Sequence, residues 1–209
     1  MHNRVIDINN YQLNICQDLS YGYAGEVWDG ALVLTHFIIN KDNNHSINFE
    51  NKTILELGSG TGICGLTAAM KNAKKVYITD KEIGLANSNY LSNISIFPTC
   101  SEVKILPLDW TKKEEYKKIE EKFDFILCSD IIWKPDLFTD IINVMDTYTI
   151  AHHTQIILVY TYREQRDMNF FKKLKEDTGK WLIDVIPENC LDEDYRADDI
   201  VMLKIVKLK

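Results

Sequence analysis

Thr53-Ile54-Leu55-Glu56-Leu57-Gly58-Ser59-Gly60-Thr61-Gly62 runs from a short apolar segment into three glycines at alternate positions. The first half has the aliphatic density of a strand buried on both faces. Gly62-Ile63-Cys64-Gly65-Leu66-Thr67-Ala68-Ala69-Met70 follows as a helix with small residues on its inner side. A strand that feeds a glycine turn and opens a helix lets the backbone approach a ligand, because glycine has no Cβ to hold it off. Glu56 is the unusual member. Its carboxylate would repel a phosphate and would suit a ligand carrying an ammonium group. Residues 60–65 do satisfy the dinucleotide pattern G-x-G-x-x-G. The register is late, however, since Gly58 already ends the strand, and Glu56 would face the pyrophosphate. A nicotinamide dinucleotide is therefore a poor occupant.

Outward from this turn, apolar runs at residues 53–57, 76–79, 103–108, 123–129, 155–160, 181–186 and 200–206 alternate with helical patterns at 64–71, 82–91, 112–121, 135–148 and 164–176. Pro135 sits where a first helical turn tolerates proline. Such alternation implies an α/β fold with a mostly parallel seven-stranded sheet, right-handed crossovers and helices on both faces. The last two runs are separated only by residues 188–199, an acidic stretch with no helical period, so they should pair antiparallel. That stretch reads as a solvated hairpin loop. Ahead of the first core strand, residues 5–8 and 11–15 flank Asn9-Asn10 and suggest a hairpin. Residues 28–40 read as an amphipathic helix, and 41–50 as a polar loop. The charged run 112–118 reads as a solvated helix face with i,i+4 pairs. The expected organisation is a single domain over residues 1–209, with residues 1–50 forming a hairpin-and-helix extension packed on the core.

Composition narrows the function. With 45% hydrophobic residues the 209-residue chain can bury a proper core. Its formal net charge of -7 argues against a general nucleic-acid binder, whose surface must neutralise phosphates. No apolar run reaches the ~20 residues of a membrane span, and residues 1–7 lack a signal-peptide core. The five cysteines have no close Cys-x-x-Cys spacing, which argues against a disulfide framework and a zinc site. The five histidines show no ligand spacing either. A cytoplasmic monomer is the expectation.

Four carboxylates mark strand ends: Glu56, Asp80, Asp109 and Asp130. In an open parallel sheet, ligands bind beyond those ends, at the point where strand order reverses. A single strand-end Asp is commonly a turn former; four in succession suggest a site. Asp80 lies where a doubly wound fold sets an acid against ribose hydroxyls. Asp109-Trp110 offers an acceptor for an exocyclic amine beside a flat ring, which suits adenine. Trp28, ahead of the first long helix, is a second aromatic that could wall the pocket. Each tryptophan is equally compatible with plain core packing.

Four blocks carry a resemblance that spans most of the chain. They are Gly25-Glu26-Val27-Trp28-Asp29-Gly30-Ala31; residues 55–62 with Gly65-Leu66; Leu108-Asp109-Trp110; and Ser129-Asp130-Ile131-Ile132-Trp133. Together they resemble the Rossmann-like, seven-β-strand methyltransferases that use S-adenosylmethionine. Within that fold they resemble the protein-lysine methyltransferases of the methyltransferase-like family 16 type. The resemblance implies a cofactor site of Trp28, Glu56, Gly58, Ser59, Gly60, Asp80, Asp109, Trp110 and Ser129. It also implies a protein substrate presenting a lysine, with Asp130 and Trp133 at the target end. The family has tyrosine at the Trp133 position, so this chain keeps an aromatic face there and loses a phenol. Residues 160–164 correspond loosely to a further family segment after strand five. Methyl transfer to a histidine, an N-terminal amine or a small molecule is the alternative chemistry. A non-catalytic module that binds S-adenosylmethionine is a third possibility.

Overall fold

The computed structural model describes residues 1–8, 11–40, 47–98, 101–163 and 165–209. The Asn9-Asn10 turn, residues 41–46 of the expected loop, Cys100 and Glu164 lie outside the described residues. A two-stranded hairpin, β1 (His2–Ile8) and β2 (Tyr11–Gln17), opens the chain. Helix α1 (Asp29–Ile39) then leads to the glycine strand β3 (Thr53–Leu57) and α2 (Ile63–Met70). The alternation continues through β4 (Lys75–Asp80), α3 (Gly84–Asn93), β5 (Glu102–Pro107), α4 (Lys113–Tyr116) and β6 (Phe125–Ser129). It ends with α5 (Phe138–Tyr148), β7 (Gln155–Thr161), α6 (Gln165–Leu174), β8 (Trp181–Val185) and β9 (Ile200–Lys207).

The seven core strands lie in the order β5-β4-β3-β6-β7-β9-β8. Strands β3 to β7 are parallel, and β9 runs antiparallel to both β7 and β8. The expected antiparallel partnership of the last two strands is present. What the sequence did not reveal is that β9 inserts between β7 and β8 and leaves β8 at the edge. Strand order reverses between β3 and β6, so the crevice at their carboxyl ends is the place for a ligand.

Alternation along the strands builds two cores. Ile54, Leu127, Ile157 and Val159 face one side with α1, α2 and the hairpin; Leu55, Ile126, Ile156 and Leu158 face the other with α5 and α6. Three corrections follow. Helix α1 is not amphipathic: nine of its eleven residues are buried. It lies against the sheet inside, and residues from the loop after β8 close its other side. There Leu191 is buried and Tyr195 stacks on His36 with centroids 3.6 Å apart. The 188–199 segment is therefore only partly a solvated loop; its apolar residues cover α1. Third, the helix expected over 112–121 shrinks to the four residues of α4. Its charged run offers little apolar surface to bury, and exposed i,i+4 pairs add only roughly 0.2–0.5 kcal/mol each.

The hairpin is stitched to α3 by two asparagines one helical turn apart. Asn89 and Asn93 each accept from and donate to the backbone of β2, at Cys16 and Asn14 respectively. A rise of about 6 Å per four helical residues matches about 6.8 Å per two strand residues, so both amides reach in register. Asn89 also donates to the Thr61 carbonyl at 2.9 Å, which ties the hairpin to the glycine turn.

Candidate active site at the ends of the parallel strands

The turn after β3 uses glycine where the backbone requires it. Gly58 has φ +67, and a Cβ there would meet Ile131 Cγ2 at 2.7 Å and the Trp110 ring at 3.0 Å. The turn is closed by the Gly62 N–H donating to the Ser59 carbonyl at 2.7 Å. The Gly60 N–H donates to Asp80 Oδ2 at 2.8 Å, and the Glu82 N–H to Asp80 Oδ1 at 3.2 Å. Asp80 thus shapes the loop from the neighbouring strand end. Burial pushes its carboxyl above the ordinary range.

Glu56 is 2% exposed and accepts from the Gly65 N–H at the start of α2, 3.0 Å from Oε2. Its Oε1 is buried with no partner. Burial, with a smaller contribution from the charge on Asp80, pushes its pKa up to about 8. A Cβ on Gly65 would sit 2.5 Å from Glu56 Oε2 and 2.6 Å from Ile78 Cγ1. Both neighbours are fixed in the core, so Gly65→Ala should cost about 1–3 kcal/mol of stability. Urea unfolding followed by circular dichroism would read this; an unchanged midpoint would contradict the packing.

Asp109 and Trp110 follow β5. Asp109 Oδ1 accepts from the Thr111 N–H at 3.1 Å and the Thr111 hydroxyl at 2.7 Å. Lys81 and Lys112 approach Oδ2, each at 3.7 Å. The Thr111 hydroxyl first, with help from the two ammonium groups, holds this carboxyl below its usual range. Trp110 lays its ring against Gly58, and its Nε1 is buried without a partner.

At the end of β6, Ser129 is half-buried and its Oγ lies 3.8 Å from Cys64 Sγ. Asp130 adopts φ +52. Its Oδ2 accepts from the Gly30 N–H in the first turn of α1 at 3.0 Å. Its Oδ1 accepts from the Thr161 N–H at 3.0 Å and the Thr161 hydroxyl at 3.3 Å. The expectation placed Asp130 against an incoming amine. The geometry makes it first a brace that joins β6, α1 and the end of β7. A carboxylate offers about four lone-pair sites, so accepting three hydrogen bonds leaves room for another. Burial raises its pKa, opposed by the Thr161 and Gly30 N–H groups and by the charge on Arg163.

Three residues on, Trp133 is half-buried with its ring 4.6 Å from that of Tyr23. Trp28 is the N-cap of α1; its Nε1 donates to the Tyr23 carbonyl at 2.8 Å, and the two rings lie 6.1 Å apart. Tyr23 belongs to a 3-10 segment, Leu19–Gly25, that crosses the glycine turn. A Cβ on Gly60 would meet the Ala24 carbonyl oxygen at 3.1 Å. The segment is pinned at its ends by the Asp18 N–H donating to the Gly25 carbonyl at 2.9 Å. Every residue expected at the site thus gathers at the carboxyl ends of β3 to β6. Tyr23, Gly30 and Thr161 join them without having been singled out. Gly30 sits within a conspicuous Trp-Asp-Gly block, and Thr161 within the Tyr-Thr-Tyr that ends β7. Tyr23 had no signal beyond its nearness to Trp28.

Comparison with known proteins decides the family. A family described as "Lysine methyltransferase" matches residues 7–177. The chain belongs to the lysine methyltransferase family. Similar curated proteins include protein N-lysine methyltransferase METTL21A of Xenopus tropicalis, 32% identical over 79% of this chain and 74% of that protein. METTL21A of Mus musculus is 30% identical over the same shares, and EEF1A lysine methyltransferase 3 of Xenopus tropicalis is 28% identical over 73% of this chain and 65% of that protein. Among solved structures, SMU.776 in complex with SAH superposes with a TM-score of 0.62 at 13% identity. It covers 98% of this chain, which spans 56% of SMU.776. The likeness shows the fold. This lysine methyltransferase takes its methyl group from S-adenosylmethionine and acts on protein lysine.

The residues present in this lysine methyltransferase fit that cofactor. Glu56 Oε1, Ser59 Oγ and Trp110 Nε1 are buried polar atoms without a partner; Glu56 and Ser59 lie within two residues of Gly58, and the Trp110 ring packs on it. A buried polar group left unpaired costs about 1–3 kcal/mol, so three around Gly58 suit a ligand with polar groups of its own. Among the described residues no three His, Cys, Asp or Glu side chains are placed to hold a metal ion, and no helix is long and apolar enough to cross a membrane.

Proposed function

We propose that the Gly58 turn, with Trp28, Glu56, Ser59, Gly60, Asp80, Asp109, Trp110 and Ser129 around it, is where this lysine methyltransferase holds S-adenosylmethionine, and that Asp130 and Trp133 receive the lysine. The three unpartnered polar atoms around Gly58 carry the proposal. Bound S-adenosylmethionine supplies an electrophilic methyl group on a positively charged sulfur. Glu56 Oε1 is the acceptor for its ammonium group, and Asp109 Oδ2 the acceptor for its adenine amine. The lysine must arrive neutral. Removing its proton at pH 7.4 costs about 4 kcal/mol from a free pKa near 10.4. Apolar surroundings reduce that cost, and Ile131 and Ile132, both buried, flank the Asp130 end. Asp130 orients the amine through a remaining lone pair and is unsuited to act as a strong base, because its charge favours ammonium. The proton lost by the amine goes to solvent. Most of the rate comes from holding two reactants in line.

The same reading extends to setting. Four described cysteines carry no disulfide, which supports a reducing compartment such as the cytosol. The net charge of -7 supports a protein that does not bind nucleic acid. Incubation with lysate and labelled S-adenosylmethionine, followed by mass spectrometry, tests the acceptor: label on lysine is expected, and label only on histidine or small metabolites would overturn it. Trp133→Ala should raise the protein-substrate KM about 3–30-fold, because the apolar stem of the lysine loses the aromatic wall it packs on. Cofactor affinity should stay within about twofold in that variant. Steady-state kinetics would separate the two effects.

A further inference from the structure

Past Thr161 the chain builds a second surface. A groove of about 330 Å³ opens between the end of β7 and α6, lined by Tyr160, Tyr162, Asp167, Met168, Phe171, Lys172 and Lys175. Its floor is firm: Phe171 packs on Tyr160, with ring centroids 5.5 Å apart. The turn into α6 is fixed by the Arg163 N–H donating to the buried Asp167 carboxylate. Its rim is exposed and apolar, with Tyr162 at 46% and Met168 at 53%. Lys172, in the last turn of α6, and Lys175, just past its end, are exposed beside it, and no ion pair reaches either ammonium among the described residues. They set two positive charges beside an apolar rim on a chain whose net charge is -7. The groove adjoins the active site along the chain: Tyr160 and Tyr162 flank Thr161, whose N–H donates to Asp130.

We propose that this groove receives the substrate polypeptide beside its target lysine, and that the segment it takes is acidic. An apolar side chain of the substrate seats between Tyr162 and Met168, and a neighbouring carboxylate meets Lys172 or Lys175. Thioether and aromatic surfaces accept varied apolar shapes, while the ammonium pair selects charge and speeds encounter. The inference rests on placing the lysine at Asp130.

Short lysine peptides carrying Asp or Glu near the lysine, and matched peptides with Ala or Arg there, provide the test alongside lysate proteins labelled by the wild type. Acidic neighbourhoods should raise kcat/KM by about tenfold. The double variant Lys172→Glu with Lys175→Glu should cancel that advantage through KM, leaving kcat and affinity for S-adenosylhomocysteine unchanged. Equal rates across the peptides, labelled lysines in neutral or basic surroundings, or a preference that survives the double variant would overturn the groove alone. Absence of label on any lysine would overturn the placement of the amine and the groove with it. A dimer that dissociates on the double substitution would instead make a second copy the occupant and overturn the proposal.

Discussion

Asp130→Ala should slow methyl transfer about 100-fold and destabilise the protein by about 1–3 kcal/mol. Both effects come from the same three hydrogen bonds. Removing the carboxylate strands the N–H groups of Gly30 and Thr161 and lets the start of α1 and the end of β7 relax apart. A displacement of about 1 Å at a reacting centre can cost that much rate. Alanine at φ +52 adds backbone strain that aspartate tolerates better. Gly30 makes the brace specific, since a Cβ there would lie 2.3 Å from Asp130 Oδ2. Asp130→Asn is the informative companion. It keeps the volume and the left-handed backbone but turns an amide N–H toward one of the donors, so it should recover part of the stability and little of the rate. Thermal melting and single-turnover transfer at saturating S-adenosylmethionine read the two separately. Full transfer in Asp130→Ala would remove the residue from the mechanism.

Glu56→Gln should weaken S-adenosylmethionine binding about 10–100-fold while stabilising the ligand-free protein at alkaline pH. The folded pKa of about 8 stands above the ordinary 4.5. The folded, ligand-free protein therefore holds a proton that the unfolded chain releases across that interval. Stability is undiminished below about pH 4.5, falls as pH rises through the window and loses its full increment above about pH 8. The limiting penalty is roughly 3–5 kcal/mol. Glutamine cannot ionise, so the melting temperature of the variant relative to wild type should climb from pH 6 to pH 9. A ligand ammonium beside Oε1 reverses the preference and draws the carboxylate into its charged form. Titration calorimetry in two buffers of different ionisation enthalpy should then show proton release on binding near pH 7 by the wild type, and none by Glu56→Gln. A melting difference independent of pH would refute the assignment.

The central strands were legible because burial on both faces writes continuous apolar runs, and three of their ends were legible because the runs lead to Asp80, Asp109 and Asp130. The glycine turn, Glu56 and the Asp109-Trp110 pair were readable for the same reason: their chemistry is local. Elements whose state depends on distant partners were not. Helix α1 was read as amphipathic although its polar positions are few, because its outer cover arrives more than 140 residues later, at Leu191 and Tyr195. Residues 112–121 had helical propensity but little to pack against, so four residues are all that remain helical. The 3-10 segment over the glycine turn has no periodicity, and Gly22 at φ 61 breaks it internally. Its aromatic contact with Trp133 is a tertiary fact. Asp130 was found, but its brace was not, because a carboxylate's hydrogen-bond partners on α1 and β7 cannot be read from its neighbours in sequence.

The placement of β9 inside the sheet imposes an order of assembly. Trp181–Val185 leaves the ribosome before Ile200–Lys207, yet it has no berth until the later strand has zipped onto β7. Until then β7 offers a bare ladder of N–H and C=O groups, the kind of template on which chains stick together. The newborn protein is thus most vulnerable late in its folding, and loss of residues 200–207 would leave β8 without the partner that holds it to the sheet.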